Sequence, residues 1–306
     1  MKVCFVYSNR SEYSLLLPII KYFKNKTSVK EINLSKKVKN IELDRNLSEI
    51  YSYCLKDFLK NNYDYVCVLG DRRELPSVAF ATLYSEIKLV HIAAGEYAQG
   101  IPTYDQYVRP IVSILSKYQI CFSKKAENEV KKLFKGISYL KSNTVIIGNP
   151  VFNDIDISSL KRIIEEDYDM VLLHPQSLSR EQTRKDIKEI QKKLKNRKTI
   201  FIEGNKDKNK ELVEKFYLKN KSYKNNIFFE SLPKKKYFSL VKYCENFYTN
   251  SSSISEIKFL NKKCLNNIGT RNKNRFVSNL DKNSPIKLYN LLKKDFNPKK
   301  HQNQTS

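Results

Sequence analysis

Residues 63–96 read YDYVCVLGDRRELPSVAFATLYSEIKLVHIAAGE, and they decide the fold. An apolar run, Tyr63–Leu69, ends in Gly-Asp. A helix-forming stretch, Leu75–Ser85, follows it, and a second apolar run, Lys88–Ile92, leads into the polar turn that closes at Glu96. Both runs are near-continuously apolar rather than alternating, the pattern of strands covered on both faces. Strand, helix, strand in that order is a βαβ unit and requires a parallel sheet. Working outward, the same unit recurs. Val3–Tyr7 is a strand and Ser11–Phe23 a helix, while Ile120–Phe122 and Thr144–Ile147 are further strands. The second half repeats the theme with Met170–Leu173, Thr199–Ile202, Ile227–Phe229, Asn246–Thr249 and Cys264–Ile268. Ser284–Phe296 reads as a last helix, before a polar tail, Asn297–Ser306. The expected fold class is therefore α/β, with two Rossmann-like domains built on parallel sheets. The 306 residues suit two domains of ordinary size. Asn149-Pro150 is a turn signal near the midpoint, so residues 1–150 and 151–306 are the expected domains.

Composition removes several function classes. With only seven glycines, no G-x-G-x-x-G can be built, so the usual dinucleotide fingerprint is absent. Gly95 and Gly100 have the spacing of a P-loop's outer glycines, but Ile101 stands where its Lys must be. The six cysteines form no C-x-x-C and no zinc-finger spacing; they read as reduced, buried thiols of a cytoplasmic protein. No run of 18 uncharged apolar residues occurs, which excludes a membrane-spanning helix. The opening MKVCFVYSNR has too short an apolar run for a signal peptide. The net charge of +25 admits a polyanionic partner, yet it rests on 46 Lys and only 11 Arg, dispersed over helix faces. Base and phosphate readers favour Arg, so a solvated basic surface is expected rather than a specific nucleic-acid interface.

Chemistry is sought where polar clusters follow strands, because open α/β sheets bind ligands beyond the carboxyl ends of their strands. Five of the seven glycines stand at such ends: Gly70, Gly95, Gly148, Gly204 and Gly269. The clusters are Ser8–Arg10, Gly70–Glu74, His91–Glu96, His174-Pro175 and Asn250–Ser253. Each has a plain alternative. Asp71 is equally an N-cap for the helix Leu75–Ser85. His91, inside an apolar strand, reads as a packed, hydrogen-bonded histidine before it reads as a catalyst. His174 ends a strand beside a proline, where function is favoured. Ser251–Ser253 open the helix Ile254–Leu260, either as an ordinary N-cap or as a phosphate seat.

Taken in order, these motifs resemble the UDP-N-acetylglucosamine 2-epimerases, and the hydrolysing branch in particular. Ser8-Asn9-Arg10-Ser11-Glu12-Tyr13 resembles the family's G-T-R-A-[DE]-Y, Gly70–Glu74 matches G-D-R-x-E, and His91–Glu96 resembles H-I-x-G-G-E. Tyr104–Arg109, Gly148–Pro150, Leu173–Pro175, Asn250–Glu256 and Ile268–Arg275 follow in the family order. The resemblance implies a GT-B-type fold, with two facing domains and a UDP-sugar in an interdomain cleft. It implies UDP elimination to a glycal and hydration to the free 2-epimeric sugar, with no NAD and no metal. Asp71, Glu96 and Asp105 are implied as acid–base carboxylates, and His174 as a group near the leaving diphosphate. Arg10 and Arg109 are implied to hold substrate, as are Asn250, Ser251, Ser252 and Glu256 around diphosphate and ribose, and Arg271 and Arg275 on the nucleotide side. The substrate class is a UDP-2-acetamido sugar, either UDP-N-acetylglucosamine or a 4-acetamido-6-deoxy relative, and the expected assembly is a homodimer. Alternatives are a non-hydrolysing epimerase and a shortened member that binds without turnover. Among the departures from the family, Lys24–Asn46 has no obvious counterpart.

Overall fold

The structure is a computed structural model; it describes residues 1–38, 46–97, 104–137, 139–194, 197–204, 208–272 and 278–297. In chain order the elements are β1 (Lys2–Tyr7), α1 (Arg10–Lys24), β2 (Ser28–Asn33), α2 (Leu34–Lys37), α3 (Leu47–Asn61), β3 (Tyr65–Leu69), α4 (Leu75–Tyr84), β4 (Lys88–Ile92), α5 (Asp105–Leu115), β5 (Tyr118–Cys121), α6 (Lys124–Lys135) and β6 (Thr144–Ile146). Then come β7 (Asp169–Leu173), α7 (Arg180–Lys193), β8 (Thr199–Glu203), α8 (Lys210–Lys221), β9 (Ile227–Phe229), α9 (Lys234–Tyr243), β10 (Asn246–Thr249), α10 (Ile254–Asn261), β11 (Leu265–Asn267) and α11 (Ser284–Asp295). Among the described residues every strand pairing is parallel, as the near-continuous apolar runs suggest. All ten expected strands are present.

The chain divides into two compact units. Unit 1 carries a six-stranded sheet in the order β2-β1-β3-β4-β5-β6. Its faces are both covered. Val3, Phe5, Tyr65 and Cys67 pack against Leu16, Ile19 and Phe23 of α1. Cys4, Val6, Val66 and Val68 pack on the other side against Ile50, Cys54 and Phe58 of α3 and Val78 of α4. The chain passes from β1 to β2 on one side and then to β3 on the other, so strand order reverses between β1 and β3. Unit 2 carries a five-stranded sheet in the order β11-β10-β7-β8-β9. Met170 and Leu172 face Leu240 and Val241 of α9, while Val171 and Leu173 face Ile190, Val213 and Phe216. Here the order reverses between β7 and β10. Such reversal points are where open α/β sheets form their ligand crevices.

Three expectations need correction. The sequence reading has no strand between Phe23 and Tyr63, yet β2 lies there, parallel to β1 from Ser28 to Asn33. Only Ile32 in it is buried, so this edge strand lacks the apolar run that marks central strands such as β3 and β7. The turn at Asn149-Pro150 does not end unit 1, which runs on to Asp154. Nor do residues 151–306 form one domain, because the chain re-enters unit 1 at Ser278. The cause is α11. It buries Leu288 and Leu292 in the first core, each worth roughly 1.5–3 kcal/mol. The Tyr65 hydroxyl donates to Asp295 Oδ2 at 2.7 Å, and Lys88 Nζ lies 2.6 Å from the same oxygen. The Ser284 hydroxyl reaches the Ile147 carbonyl at 2.9 Å. Residues 298–306 of the tail lie outside the described residues.

Candidate active-site residues

In unit 1 the candidates stand on the turns after β1, β3 and β4 and on α5, at and beside the strand-order reversal. The first turn of α1 is set by a capping box. Asn9 accepts from the Glu12 N–H at 2.9 Å, and the Glu12 carboxylate accepts from the N–H groups of Asn9 at 3.1 Å and Ser8 at 2.8 Å. Arg10 opens that helix and is exposed. Beyond β3, the Gly70 turn carries Asp71, whose Oδ2 accepts from Nη2 of Arg109 on α5. Arg109 is buried, and its Nη1 donates to the Ala93 carbonyl beyond β4. One guanidinium thus ties the β3 and β4 loops together. Asp71 is therefore not the cap of α4; that position belongs to Glu74, which makes no side-chain cap bond.

His91 is fully buried. Its Nε2 lies 2.7 Å from the Gly70 carbonyl and its Nδ1 2.9 Å from the Ser113 hydroxyl. A carbonyl can only accept, so Nε2 carries the proton and Nδ1 accepts from Ser113. Burial, reinforced by the Arg109 charge, pushes the imidazole down to about 3. It is a neutral clamp on the Gly70 turn, as its place inside an apolar strand suggests. Glu96 is buried at the far end of the next turn. Gly95 before it has φ +73°, and a Cβ there would stand 2.1 Å from the Ala126 carbonyl oxygen of α6, so only glycine brings Glu96 to this position. Asp105 opens α5, one turn before Arg109; its side chain lies outside the described residues.

Two buried glutamates in this cluster were not among the candidates. Glu74 is 1% exposed, with Oε1 3.5 Å from Arg72 Nε. Burial, and then the Glu74 charge, raise the Glu12 carboxyl to about 8. Both stand in motifs quoted above, and the N-x-x-E spacing of Asn9 and Glu12 is a readable capping-box signal.

In unit 2 the candidates meet at the reversal between β7 and β10. Asn250 holds the main chain of His174 at two points: Oδ1 accepts from its N–H at 2.8 Å, and Nδ2 donates to its carbonyl at 2.8 Å. Burial and the Arg271 charge push the His174 ring down to about 3, so it is neutral near pH 7. The Ser251 hydroxyl accepts from the Ser253 N–H at 3.3 Å and lies 3.0 Å from the Ser253 hydroxyl. Ser253 is the N-cap of α10 but makes no side-chain cap bond, so the plain capping alternative is not realised there. Ser252 is exposed, and Glu256 is buried in the first turn of α10. Asn272, which sequence reasoning missed, donates to the Ser251 carbonyl at 2.7 Å. Arg271 Nη1 is buried with no hydrogen-bond acceptor among the described residues. Arg275 lies outside the described residues.

The two clusters differ in chemistry. The first offers carboxylates, one held by a buried guanidinium, and suits proton transfer. The second offers hydroxyls, a helix N-terminus, a neutral imidazole and an arginine, and suits a phosphate group. The family model for UDP-N-acetylglucosamine 2-epimerase matches residues 20–280. The chain is 30% identical to the GDP/UDP-N,N'-diacetylbacillosamine 2-epimerase (hydrolyzing) of Campylobacter jejuni, over 90% of this chain and 82% of that protein. It is also 30% identical to the polysialic acid biosynthesis protein P7 of Escherichia coli, over 73% of this chain and 60% of that one. The fold is similar to that of the UDP-GlcNAc 2-epimerase of Methanocaldococcus jannaschii, solved with UDP-GlcNAc and UDP. The TM-score is 0.69 at 18% identity, covering 95% of this chain and 92% of that one.

Proposed function

We propose that this chain, which belongs to the UDP-N-acetylglucosamine 2-epimerase family, releases UDP from a UDP-2-acetamido sugar and yields the free 2-epimeric sugar. In this reading a carboxylate among Asp71, Glu96 and Asp105 removes the C2 proton. The C1–O bond breaks, its electron pair leaves with the diphosphate, and a C1–C2 double bond remains. Water then adds its hydroxyl to C1, and C2 takes a proton on the opposite face. The C2 proton is weakly acidic, so its removal needs a positioned base shielded from water. Arg109, paired with Asp71, fixes the position of that carboxylate. The leaving diphosphate needs cationic and N–H groups. Arg271, the N-terminus of α10, and Ser251 and Ser252 supply them. His174, being neutral, contributes a hydrogen bond rather than a charge, and Glu256 accepts from the ribose hydroxyls. Arg10 and Arg275 complete the substrate contacts.

One observation carries the reading. A chain matching this family over residues 20–280 keeps a carboxylate cluster at one strand-order reversal and a phosphate-suited cluster at the other. The relative named for N,N'-diacetylbacillosamine supports the 4-acetamido-6-deoxy sugar as substrate beside UDP-N-acetylglucosamine, and the polysialic acid relative supports a product destined for surface polysaccharide. Six buried, unpaired thiols suit the reducing cytoplasm. Helix α4, which packs beside α3 and α5, supports a homodimer: beside its buried Leu75 and Val78 it exposes Phe80, Leu83 and Tyr84, while α3 exposes Leu47 and Leu59 and α5 exposes Tyr107 and Ile111. The test is incubation with both UDP-sugars in deuterium oxide. Free UDP and a free 2-epimeric sugar deuterated at C2 are expected. An epimerised sugar still bonded to UDP would establish the non-hydrolysing reaction instead, and no turnover would leave only binding.

A further inference from the structure

Asp186, in the middle of α7, belongs to none of the motifs above, yet it is 1% exposed and sits under the second cluster. Its Oδ1 accepts from Gln182 Nε2 at 2.7 Å. Its Oδ2 accepts from Gln176 Nε2 at 3.2 Å and from Asn250 Nδ2 at 3.4 Å. All three partners are neutral amides. Gln176 follows β7, Asn250 follows β10, and a third strand-end loop touches the same carboxylate. A Cβ on Gly269, which follows β11 with φ +62°, would stand 2.1 Å from Asp186 Oδ1. Gln176 is tied to α7 a second time, its N–H donating to the Thr183 hydroxyl at 2.9 Å.

We propose that Asp186 is a positioning residue for the nucleotide-side cluster: its buried carboxylate orients Asn250, and through Asn250 the main chain of His174, while its Oδ1 face seats the Gly269 turn that leads to Arg271. The logic is one of hydrogen counting. Asn250 Nδ2 has two hydrogens; one goes to the His174 carbonyl and the other to Asp186. That fixes which end of the Asn250 amide is oxygen, and so keeps Oδ1 on the His174 N–H. A carboxylate is the only side chain of this size that accepts at both ends. Asparagine would turn its own NH2 toward the amide donors on one side and strand them in a buried site, where an unpaired donor is costly. Burial raises the Asp186 carboxyl above its ordinary value, and the three amide donors offset that burial only in part.

The assignment of Asp186 rests on the proposed function only for its catalytic consequence, so the test has one arm that needs no ligand. The chain has three histidines, and the ring resonances of His174, His91 and His301 can be told apart by substitution. Asp186→Asn should move the ring resonances of His174 and leave those of His91 in unit 1 unchanged. Lys185→Ala, an exposed neighbour on α7, should move neither. The same Asp186→Asn protein should bind UDP about tenfold more weakly, since stranded donors misplace both the Asn250 loop and His174. Gly269→Ala should reproduce that loss by displacing the carboxylate. Unmoved His174 resonances together with wild-type UDP affinity would overturn the proposal, even if the melting temperature falls. A wild-type protein that fails to bind UDP would sink the nucleotide-sugar reading, while the resonance arm would still decide the role of Asp186.

Discussion

Replacing Glu12 by Gln removes one titrating group and keeps the acceptor that closes the capping box; the buried NH2 it brings adds a cost that does not vary with pH. Glu12 is 5% exposed, and its Oε2 accepts the N–H groups of Ser8 and Asn9 at 2.8 and 3.1 Å. A Gln carbonyl can accept both, so the capping box survives the substitution. Burial and the neighbouring Glu74 hold the native carboxyl at about 8, against about 4.3 for an unfolded Glu. Between those values the native state binds one more proton than the unfolded state. The contribution of Glu12 to stability is therefore complete below the unfolded value and is lost as pH rises toward 8, with a slope of about 1.4 kcal/mol per pH unit. His91 and His174 act with the opposite sign. Both are lowered to about 3 and stay neutral in the fold, so their contribution is present above about 6.5 and is lost as pH falls below it. The window from about 6.5 to 8 thus isolates Glu12, and across it the wild type should lose about 2 kcal/mol relative to Glu12→Gln. With no Trp in the chain, urea unfolding followed by circular dichroism, both proteins in the same buffers, is the assay. Parallel curves over that window would mean that Glu12 is ionised in the fold, and the account of this buried turn would fail.

Asp71→Asn, Glu96→Gln and Asp105→Asn should each lower turnover by about two orders of magnitude while UDP binding persists, as steady-state rates and calorimetry would show; near-wild-type rates in all three would remove the elimination mechanism. Glu256→Ala should weaken UDP binding and Asp105→Asn should not, a contrast that one calorimetric titration of each variant decides. Gly95→Ala should destabilise unit 1 by about 2 kcal/mol or more, because the methyl group meets the Ala126 carbonyl at a positive φ; an unchanged urea midpoint would contradict the packing described for that turn.

What the amino-acid sequence determined by itself is local. Apolar runs such as Tyr65–Leu69 and Met170–Leu173 are covered on both faces wherever they lie, so they announce parallel strands without any knowledge of their neighbours. The polar clusters after them are equally readable, because a strand end in an open α/β sheet is a ligand-facing position by geometry alone. His91 was legible as a packed residue for the same reason: a polar side chain inside an apolar strand must find buried partners. β2 was not legible, since an edge strand half open to solvent needs few apolar residues.

Tertiary structure alone decided which of these ends meet. The reversals between β1 and β3 and between β7 and β10 follow from strand order, which no local pattern encodes. The pairing of Asp71 with Arg109 spans 38 residues. Asp186 finds Asn250 across 64 residues. The return of α11 to unit 1 joins Asp295 to Tyr65 across 230 residues. The protonation of Glu12, His91 and His174 was likewise settled only in the fold. A side chain's charge depends on the water it loses and on the charges that replace that water, and both are properties of its neighbours in space.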